Sequence, residues 1–390
     1  VSTTLVDAAG NSASTTTSFS VLPSGNGFYV AQSEPVRVLD TRHGTGTANA
    51  GKVDGAVVVD LSSRLPASAS AAVLNLTALQ STGSGYVVAY PFGTSRPPTS
   101  NLNVATGQTQ ANEAIVAMPA DGSRRVVLFA NTGDVHLVAD LVGSFASAPT
   151  AGAGSITTGT PVRVLDTRRT ATPVRSGSFD VPLPADAVPA GATSVVLNVT
   201  VVGAQQPGYL VVHAGGTSKP PVSNVNYVPG VTQANEVFTR VSADRTVRVY
   251  LSGAASVIVD LVGVVRPVAA GTDQVLVPLS APERVYDSRR GSGPVGPGTG
   301  TIDLTSAPEG ATGVLLNLTG LQATHGMYVA AFPAGTSWPG TSNLNLAPGL
   351  TKANAVMTGI DEQGQVSLRV GGPAGSKTHL VVDVVGYLVG

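Results

Sequence analysis

Apolar residues in this chain come in short, β-branched runs that clusters of Gly, Pro, Asn and Ser separate. The first third contains AVVVDL from Ala56, AAVLNLT from Ala71, YVVAY from Tyr86 and RVVLFA from Arg125. Runs that recur every 8–12 residues or so are typical of sandwich strands, and helical periodicity is almost nowhere sustained. Several runs are apolar at successive positions, which indicates either strands covered on both faces or a sandwich with an apolar exterior. The pattern predicts an all-β fold built from antiparallel β-sandwiches.

A heptapeptide recurs in nearly the same form in each third of the chain. It reads VRVLDTR at 36–42, VRVLDTR at 162–168 and ERVYDSR at 283–289. This spacing of about 120 residues exceeds the units that stack into solenoids and matches the size of an independent domain. The recurrence predicts three tandem sandwich domains of about seven to nine strands each. The predicted domains are 27–148, 149–268 and 269–390.

Further blocks follow each heptapeptide in a constant order. They read L-N-[LV]-T, G-T-S-x-P, S-N-[LV]-N, T-x-A-N and D-[LV]-V-G. The segments ASAPTAGAG and RPVAAGTD, which join the domains, are short and poor in bulky residues. Linkers of this kind predict a semi-extended rod in which neighbouring domains touch at modest, partly polar interfaces.

The segment 1–26 differs from the three domains. It resembles the last two strands of a bacterial immunoglobulin-like domain, with a turn at Val6, Asp7, Gly10 and Asn11. Two strands cannot bury a core alone. The segment is therefore either an Ig-like remnant or a hairpin that docks on another sheet. An unpaired strand edge can add to a neighbouring sheet. If the segment is a docking hairpin, it is predicted to add to a sheet of the first domain or of a second molecule, and the second case would make the protein self-associate.

Residues from about 27 to 390 resemble modules repeated in large secreted proteins of high-GC Gram-positive bacteria. The resemblance rests on the R-V-L-D-T-R, L-N-V-T, S-N-L-N and D-V-V-G blocks, which stand in this order in each domain. It implies an extracellular, cell-surface location and an accessory role. The family has no settled biochemical activity.

The amino-acid composition argues against several classes of function. Only 12% of the 390 residues are charged and the formal net charge is −1, so no general attraction to nucleic acid is expected. The absence of cysteine excludes thiol catalysis, thiolate metal sites and disulfides. No apolar run approaches the roughly 18–20 residues that span a bilayer, so no membrane insertion is expected. Abundant Gly, Pro, Thr and Ser favour a secreted protein.

Charged residues recur in the D-T-R and D-[LV]-V-G blocks. A buried carboxylate is tolerated when it is paired, and arginine can bind it through two parallel hydrogen bonds. The pattern predicts structural Asp–Arg–Asp networks that fasten the first strand of each domain to the last. A calcium site and a ligand-binding arginine are the alternatives, but dispersed aspartates offer calcium few oxygens, and no metal is predicted. The network residues are Asp40, Arg42 and Asp140; Asp166, Arg168 and Asp260; Asp287, Arg289 and Asp383.

Asparagines recur in three of the blocks. Their amides either satisfy backbone groups at turns and strand ends or bind sugar hydroxyls. The candidates are Asn101, Asn103 and Asn112; Asn224, Asn226 and Asn235; Asn343, Asn345 and Asn354. Another set, Asn75, Asn198 and Asn317, begins N-x-T triplets inside apolar strands. Their place in the pattern predicts inward-facing hydrogen bonds rather than glycosylation.

The G-T-S-x-P loop tip changes character between domains, with Arg96, Lys219 and Trp338 at its variable position. A tryptophan in a proline-stiffened loop either stacks on a sugar or packs on the neighbouring sheet. If all three domains bound the same glycan face, each tip would carry an aromatic side chain, and two tips lack it.

Catalytic motifs are absent from the sequence. The five histidines fall at unrelated positions of the repeat, and neither a G-x-S-x-G elbow nor an H-E-x-x-H motif occurs. We expect no enzymatic activity and no cofactor. One hypothesis is a structural or adhesive surface protein that acts as spacer, stalk or filament subunit. The other is an array of carbohydrate-binding modules for polysaccharide or cell-wall polymer. Binding to insoluble polysaccharide would distinguish the second hypothesis from the first.

Overall fold

The computed structural model describes residues 2–6, 12–16, 27–147, 152–170, 176–268 and 273–390. Strands make up 59% of the structure and helices 2%. The all-β fold class predicted from the short β-branched runs is therefore confirmed. We refer to 27–148, 149–268 and 269–390 as modules 1, 2 and 3.

An N-terminal hairpin precedes three modules of closely similar strand order. The hairpin consists of β1 (Ser2–Val6) and β2 (Ser12–Thr16). Module 1 contains β3 (Phe28–Asp40), β4 (Val53–Asp60), β5 (Ala69–Leu79), β6 (Gly85–Pro91), β7 (Leu102–Val104), β8 (Gln110–Ala117) and β9 (Arg125–Ala146). Module 2 contains β10 (Ala153–Asp166), β11 (Gly177–Pro182), β12 (Ser194–Val202), β13 (Gly208–Ala214), β14 (Val225–Tyr227), β15 (Gln233–Arg240), β16 (Thr246–Leu251) and β17 (Ser256–Pro267). Module 3 contains β18 (Val275–Asp287), β19 (Gly298–Asp303), β20 (Ala311–Leu321), β21 (Met327–Pro333), β22 (Leu344–Leu346), β23 (Lys352–Gly359), β24 (Gln365–Gly371) and β25 (His379–Val389). Single 3-10 turns lie at Thr167–Arg169 and Ser288–Arg290.

Each module is a sandwich of two antiparallel sheets. The sheet that we call inner has the order β3-β9-β5-β8 in module 1, β10-β17-β12-β15 in module 2 and β18-β25-β20-β23 in module 3. The outer sheet has the order β4-β9-β6-β7, β11-β16-β13-β14 or β19-β24-β21-β22. In module 1 the long strand β9 passes from the outer sheet into the inner one. The first strand of every module thus lies beside its last strand.

The inner sheets are buried on both faces except along their first strands, which are mostly half-buried. One face of β5, with Leu74 and Leu76, packs inside module 1, whereas the opposite face carries Ala71 and Val73. That opposite face packs with its counterparts from the other modules in a fourth apolar cluster, the central core. Its members are Tyr29, Ala71, Val73, Ile115, Val142, Phe145, Ile156, Val196, Phe238, Val262, Val265, Leu276, Leu315, Met357 and Leu388. The continuous apolar runs in the sequence therefore reflect strands covered on both faces.

Side chains of complementary size fill the central core. Strand register makes Ile115, Phe238 and Met357 equivalent across the three modules. Tyr29 lies with its ring centroid 5.4 Å from that of Phe145 and 5.4 Å from that of Phe238, so it joins modules 1 and 2. A well-packed interior tolerates few changes of volume. Because the side chains at these equivalent positions differ in size, they fit together in one arrangement of the three modules.

Hydrogen bonds close the modules into a ring. The amide Nδ2 of Asn75 donates to Ser223 O, that of Asn198 to Ser342 O and that of Asn317 to Ser100 O, each over 2.8 Å. The order runs from module 1 to 2, from 2 to 3 and from 3 back to 1, which defines a pseudo-threefold axis. These asparagines make the inward hydrogen bonds expected of them. The expected rod is wrong, because a shared apolar core favours a closed arrangement over an extended one.

The first strands of the modules also meet. Gly27 exchanges two backbone hydrogen bonds with Leu276, and β3 pairs with β10 at Val30 and Ala153. Ser155 Oγ donates to Gln274 O and accepts from Gln274 N. β1 and β2 form a separate two-stranded antiparallel sheet, whereas residues 7–11 and 17–26 lie outside the described part. Docking and self-association of the hairpin, and its Ig-like origin, stay predictions.

Candidate functional site

The D-T-R block forms a clamp between the first and last strands of each module. Arg37 binds Asp140 of the last strand, with Nε 2.9 Å from Oδ1 and Nη2 3.2 Å from Oδ2. Arg42 instead binds Asp40, two residues before it, through Nε at 2.9 Å and Nη2 at 2.7 Å. Arg37 also lies 3.2 Å from Asp40. The network therefore exists, but Arg37 and not Arg42 bridges the two carboxylates.

The other modules repeat this correction. The bridging arginines are Arg163, which binds Asp260 and lies 3.9 Å from Asp166, and Arg284, which binds Asp383 and lies 3.6 Å from Asp287. Arg168 and Arg289 pair locally with Asp166 and Asp287. Sequence reasoning missed Arg37, Arg163 and Arg284, although each stands three residues before the recurring aspartate. The missed signal was the alternation of the strand, which directs Arg37 and Asp140 to the same face of adjacent strands.

The two carboxylates of the clamp lie in different environments, which shift their pKa values in opposite directions. The hydrogen bond from Arg42 lowers the pKa of Asp40 to about 2, against a smaller opposing contribution from burial. Burial raises the pKa of Asp140, while the hydrogen bond from Arg37 opposes that rise. Asp260 and Asp383 show the same direction for the same causes. Removal of the bridging arginine would thus leave a buried carboxylate without its partner.

The hydroxyl of the block has a backbone role as well. Thr41 Oγ1 accepts a hydrogen bond from Leu137 N, and Ser288 Oγ accepts one from Leu380 N. Strand register makes His136 and His379 equivalent, so the expectation that all five histidines occupy unrelated positions is wrong for this pair. Ser288 Oγ lies 2.9 Å from Nδ1 of His379, but Ser288 is fully buried. A nucleophile must reach its substrate, which a fully buried serine does not do. The geometry instead fits a hydroxyl that fastens two strands.

The recurring asparagines bind the backbone. Asn101 Oδ1 accepts from Ala89 N, and Asn112 Nδ2 donates to Asn101 O. The equivalent pairs are Asn224 with Val212 and Asn235 with Asn224, and Asn343 with Ala331 and Asn354 with Asn343. Asn103, Asn226 and Asn345 accept from serine hydroxyls three residues earlier. Most of these amides thus fix turns and strand ends.

Asn112, Asn235 and Asn354 also join the modules around the axis. Their Oδ1 atoms accept hydrogen bonds from Ala355 N at 3.1 Å, Glu113 N at 3.1 Å and Glu236 N at 3.3 Å, respectively. Each bond crosses from one module to the next. The asparagine of the T-x-A-N block is therefore a second cyclic link, which the sequence could not distinguish from a local turn fixture.

The variable loop tips fold back on the outer sheets. Arg96 lies over the ring of Phe129, with Cζ 4.0 Å from its centroid, and Lys219 Nζ lies 5.1 Å from the centroid of Tyr250. The ring of Trp338 stacks on Tyr328 at 5.7 Å and receives the guanidinium of Arg369 at 4.5 Å. Arg96, Lys219 and Trp338 therefore pack on their own sheets.

The cation and the aromatic exchange places in module 3. Strand register makes Phe129, Tyr250 and Arg369 equivalent. Modules 1 and 2 thus carry the cation at the tip and the aromatic on the strand, whereas module 3 has Trp338 at the tip and Arg369 on the strand. A cation near an aromatic face is favourable in either order. Each outer sheet keeps this pair beside a further tyrosine, so every module has an aromatic surface at its tip.

A cleft of about 450 Å³ lies between modules 3 and 1. Tyr86, Arg96 and Asn103 line it from module 1, and Arg284 and Arg289 line it from module 3. The Nη2 group of Arg284 donates to Pro98 O, and this bond holds the two walls together. The cleft brings together one tip, one candidate asparagine and two arginines of the clamp that lay far apart in the sequence.

The other junctions repeat these walls. Arg37 Nη2 donates to Pro221 O beside the Lys219 tip, and Asn198 Nδ2 donates to Ser342 O beside the Trp338 tip. The cavity between modules 1 and 2, which Tyr29 and His213 line, measures about 90 Å³. Since one water needs about 10–15 Å³ of cavity volume measured in this way, this cavity suits several waters. The cleft between modules 3 and 1 is the better ligand site.

Near the axis, Gln110, Gln233 and Lys352 occupy equivalent positions. The two glutamines hydrogen-bond to each other at 3.4–3.5 Å, and Lys352 Nζ donates to Thr232 O at 3.2 Å. Burial lowers the pKa of Lys352 from its ordinary 10.5 to about 7. The lysine is thus a destabilising member of an otherwise neutral set.

Lys352→Gln should stabilise the chain by about 1–3 kcal/mol, because it removes a buried charge. The folded pKa is below the unfolded value, so the cost of Lys352 is complete below pH about 7 and disappears above about 10.5. Urea unfolding should accordingly show the gain near about pH 6 and little of it near about pH 10.5. Lys377→Gln, which alters an exposed lysine of the same module, is the control. An equal gain at both pH values would contradict the electrostatic cause.

Comparisons with known proteins identify no family. No protein-family model matches the chain, and no curated protein matches it. A solved structure of Sulfolobus turreted icosahedral virus is 10% identical, covers 93% of this chain and 92% of its own, and has a TM-score of 0.20. A second, described as the triple jelly roll fold and turret assembly of an archaeal virus, is 10% identical, with 93% and 91% covered and a TM-score of 0.19. The tandem CBM22-1–CBM22-2 domain of Paenibacillus barcinonensis Xyn10C is 11% identical, with 63% and 88% covered and a TM-score of 0.16.

In the part of the chain that the structure describes, no helix is long and apolar enough to cross a membrane.

Proposed function

We propose that the protein is a non-catalytic adhesive head of an extracellular surface protein, and that it binds acidic polysaccharide in the cleft between modules 3 and 1. The proposal rests on one observation, which is that Tyr86, Arg96 and Arg289 line this cleft together. Aromatic rings pack on the apolar faces of ligands, and guanidinium groups bind carboxylate, sulfate or phosphate. A sugar polymer with anionic groups offers both features.

The donors in the cleft support an anionic ligand. Arg289 uses Nε and Nη2 for Asp287, and its side chain remains 44% exposed. Arg96 is exposed and lies over Phe129. The single carboxylate in the lining, Asp383, is already bound by Arg284. The cleft therefore keeps positive charge in an otherwise nearly neutral protein, which favours an anionic group there.

The closed ring favours a head over a spacer or a stalk. A spacer gains reach when domains follow one another end to end, whereas these modules pack around an axis and share a core. A rigid body with preformed clefts loses little conformational entropy when it binds a ligand. These features support the adhesive form of the structural hypothesis together with the polysaccharide hypothesis.

Arg96→Ser should weaken binding of an acidic polysaccharide about tenfold, because it removes one charge-assisted contact of about 1.4 kcal/mol. Affinity electrophoresis in gels that contain pectate, heparin or a neutral glucan would measure the retardation. Arg64→Ser removes an exposed arginine outside the cleft and should leave retardation unchanged. Failure of the unaltered protein to bind any acidic polymer would reject the proposal, as would equal losses in the two variants.

A further inference from the structure

Two glutamates lie buried at the pseudo-threefold axis. Register pairs Glu113 with Asn75, Glu236 with Asn198 and Ala355 with Asn317, so Glu113, Glu236 and Ala355 are equivalent. Glu113 and Glu236 are each 1% exposed. The edge strands β8 and β15 carry the glutamates, and β23 carries Ala355, to the place where the T-x-A-N hydrogen bonds link the modules. They take no part in the surface clefts.

Most of their carboxylate oxygens have no partner. Oε1 and Oε2 of Glu113 and Oε1 of Glu236 receive no hydrogen bond, whereas Oε2 of Glu236 accepts from Met357 N at 2.6 Å. Among the described residues, neither glutamate forms an ion pair within 4.0 Å. A buried carboxylate needs a proton, a cationic side chain or a metal ion. No cationic side chain of the described residues lies within that distance of the two carboxylates.

A small void lies beside the two glutamates, where residues of all three modules meet. It measures about 10 Å³, and Glu113, Glu236 and Asn317 line it. Asn317 is 4% exposed, and its Oδ1 also has no partner. A void of this size holds about one water. One water can donate two hydrogen bonds, which is too few for four unpaired acceptor oxygens.

We propose that this void is a cation site for a calcium-sized ion, with Glu113, Glu236 and Asn317 as ligands. A divalent ion would neutralise both carboxylates, and calcium prefers carboxylate and amide oxygens. The four unpaired oxygens would supply the first part of its shell. Magnesium is a poorer candidate, because it demands near-ideal octahedral geometry, whereas calcium accepts a flexible arrangement of oxygens. Softer metals prefer imidazole and thiolate, and neither group lines the void.

The site differs from an ordinary acidic cluster. In the described ranges, no group of three or more His, Cys, Asp or Glu residues is arranged to hold a metal. Here two carboxylates and one amide come from three different modules, so an ion would fasten the ring at its centre. The competing state is a protonated pair, because burial and then repulsion by Glu236 raise the pKa of Glu113 well above its ordinary value.

Native mass spectrometry of the full chain, stripped with EGTA and then incubated with CaCl2, tests the site. We expect one calcium ion per chain and a melting temperature several degrees higher with calcium than with EGTA. Glu236→Gln keeps the shape of the side chain and should weaken calcium binding at least tenfold. Glu362→Gln alters an exposed glutamate of module 3 and should bind calcium as the unaltered chain does.

The measurement on the unaltered chain decides by itself, whether or not the variant folds. No bound ion and an unchanged melting temperature would overturn the proposal in favour of the protonated pair. Equal loss of calcium in the two variants would also overturn it, since that result would place the ion on the surface. Polysaccharide binding is independent of these outcomes, because the cleft and the void share no lining residue.

Discussion

Arg163→Ala should destabilise the protein by about 3–5 kcal/mol, because it leaves Asp260 buried without its partner. Asp260 has a side chain that is 1% exposed, and Arg163 binds it through Nε at 2.7 Å and Nη2 at 3.2 Å. The substitution also removes the side-chain link between the first and last strands of module 2, while their backbone pairing remains. Equilibrium unfolding in guanidinium chloride, followed by circular dichroism, measures the loss.

Arg168→Ala is the matched control, since it removes the other arginine of the same block. Arg168 is 45% exposed and binds Asp166 locally. Exposed pairs contribute about 0–1 kcal/mol, so the loss should be about 1 kcal/mol. Similar losses for the two variants would contradict the assignment of Arg163 as the bridging residue and would favour the role first expected of Arg168.

The second large effect concerns module 2 in isolation. Residues 149–268 should form their own sandwich, because the core between its two sheets contains side chains of module 2 alone. Isolation exposes Ile156, Val196, Phe238, Val262 and Val265 of the central core. Each buried apolar side chain contributes about 1.5–3 kcal/mol, and exposed apolar patches of this kind drive association. We therefore expect reversible self-association by size-exclusion chromatography with light scattering.

Phe238→Ser in the isolated module should shift this association toward the monomer, because Phe238 is the largest of the apolar side chains that isolation exposes. The full chain should unfold in one calorimetric transition, since the central core joins all three modules. A monomeric module 2 at all concentrations, together with three separate transitions of the full chain, would show that the modules are energetically independent, as the rod hypothesis assumed.

The strand and core organisation of single modules could be predicted from the sequence. Short β-branched runs, turn residues and the recurrence of V-R-V-L-D-T-R predicted three tandem units, and each unit folds into two antiparallel sheets. Apolar residues at successive positions in AAVLNLT also indicated burial on both faces, which β5 shows. These features are local, because the side-chain period of a strand and the geometry of its turns depend on a few neighbouring residues.

The candidate site was predictable only in its parts. The sequence singled out Arg96, Asn103 and Arg289, but it assigned them to separate loops and ion pairs. Arg284 was missed because the register between the first and last strands, which brings it opposite Asp383 across 99 residues of sequence, decides which arginine of the block faces that aspartate. Contacts of such separation depend on strand order and register, and a one-residue shift of register reverses the face of every side chain.

The sequence alone determined which residues form strands and that the chain repeats one pattern three times. The tertiary structure decided that these modules close into a ring, that Asn75, Asn198 and Asn317 link them cyclically, and that two glutamates meet at the axis. The physical reason is that a second apolar face on each inner sheet has to be buried. Several arrangements bury it, and the complementary volumes of Tyr29 and Phe238 select among them through packing that no local pattern encodes.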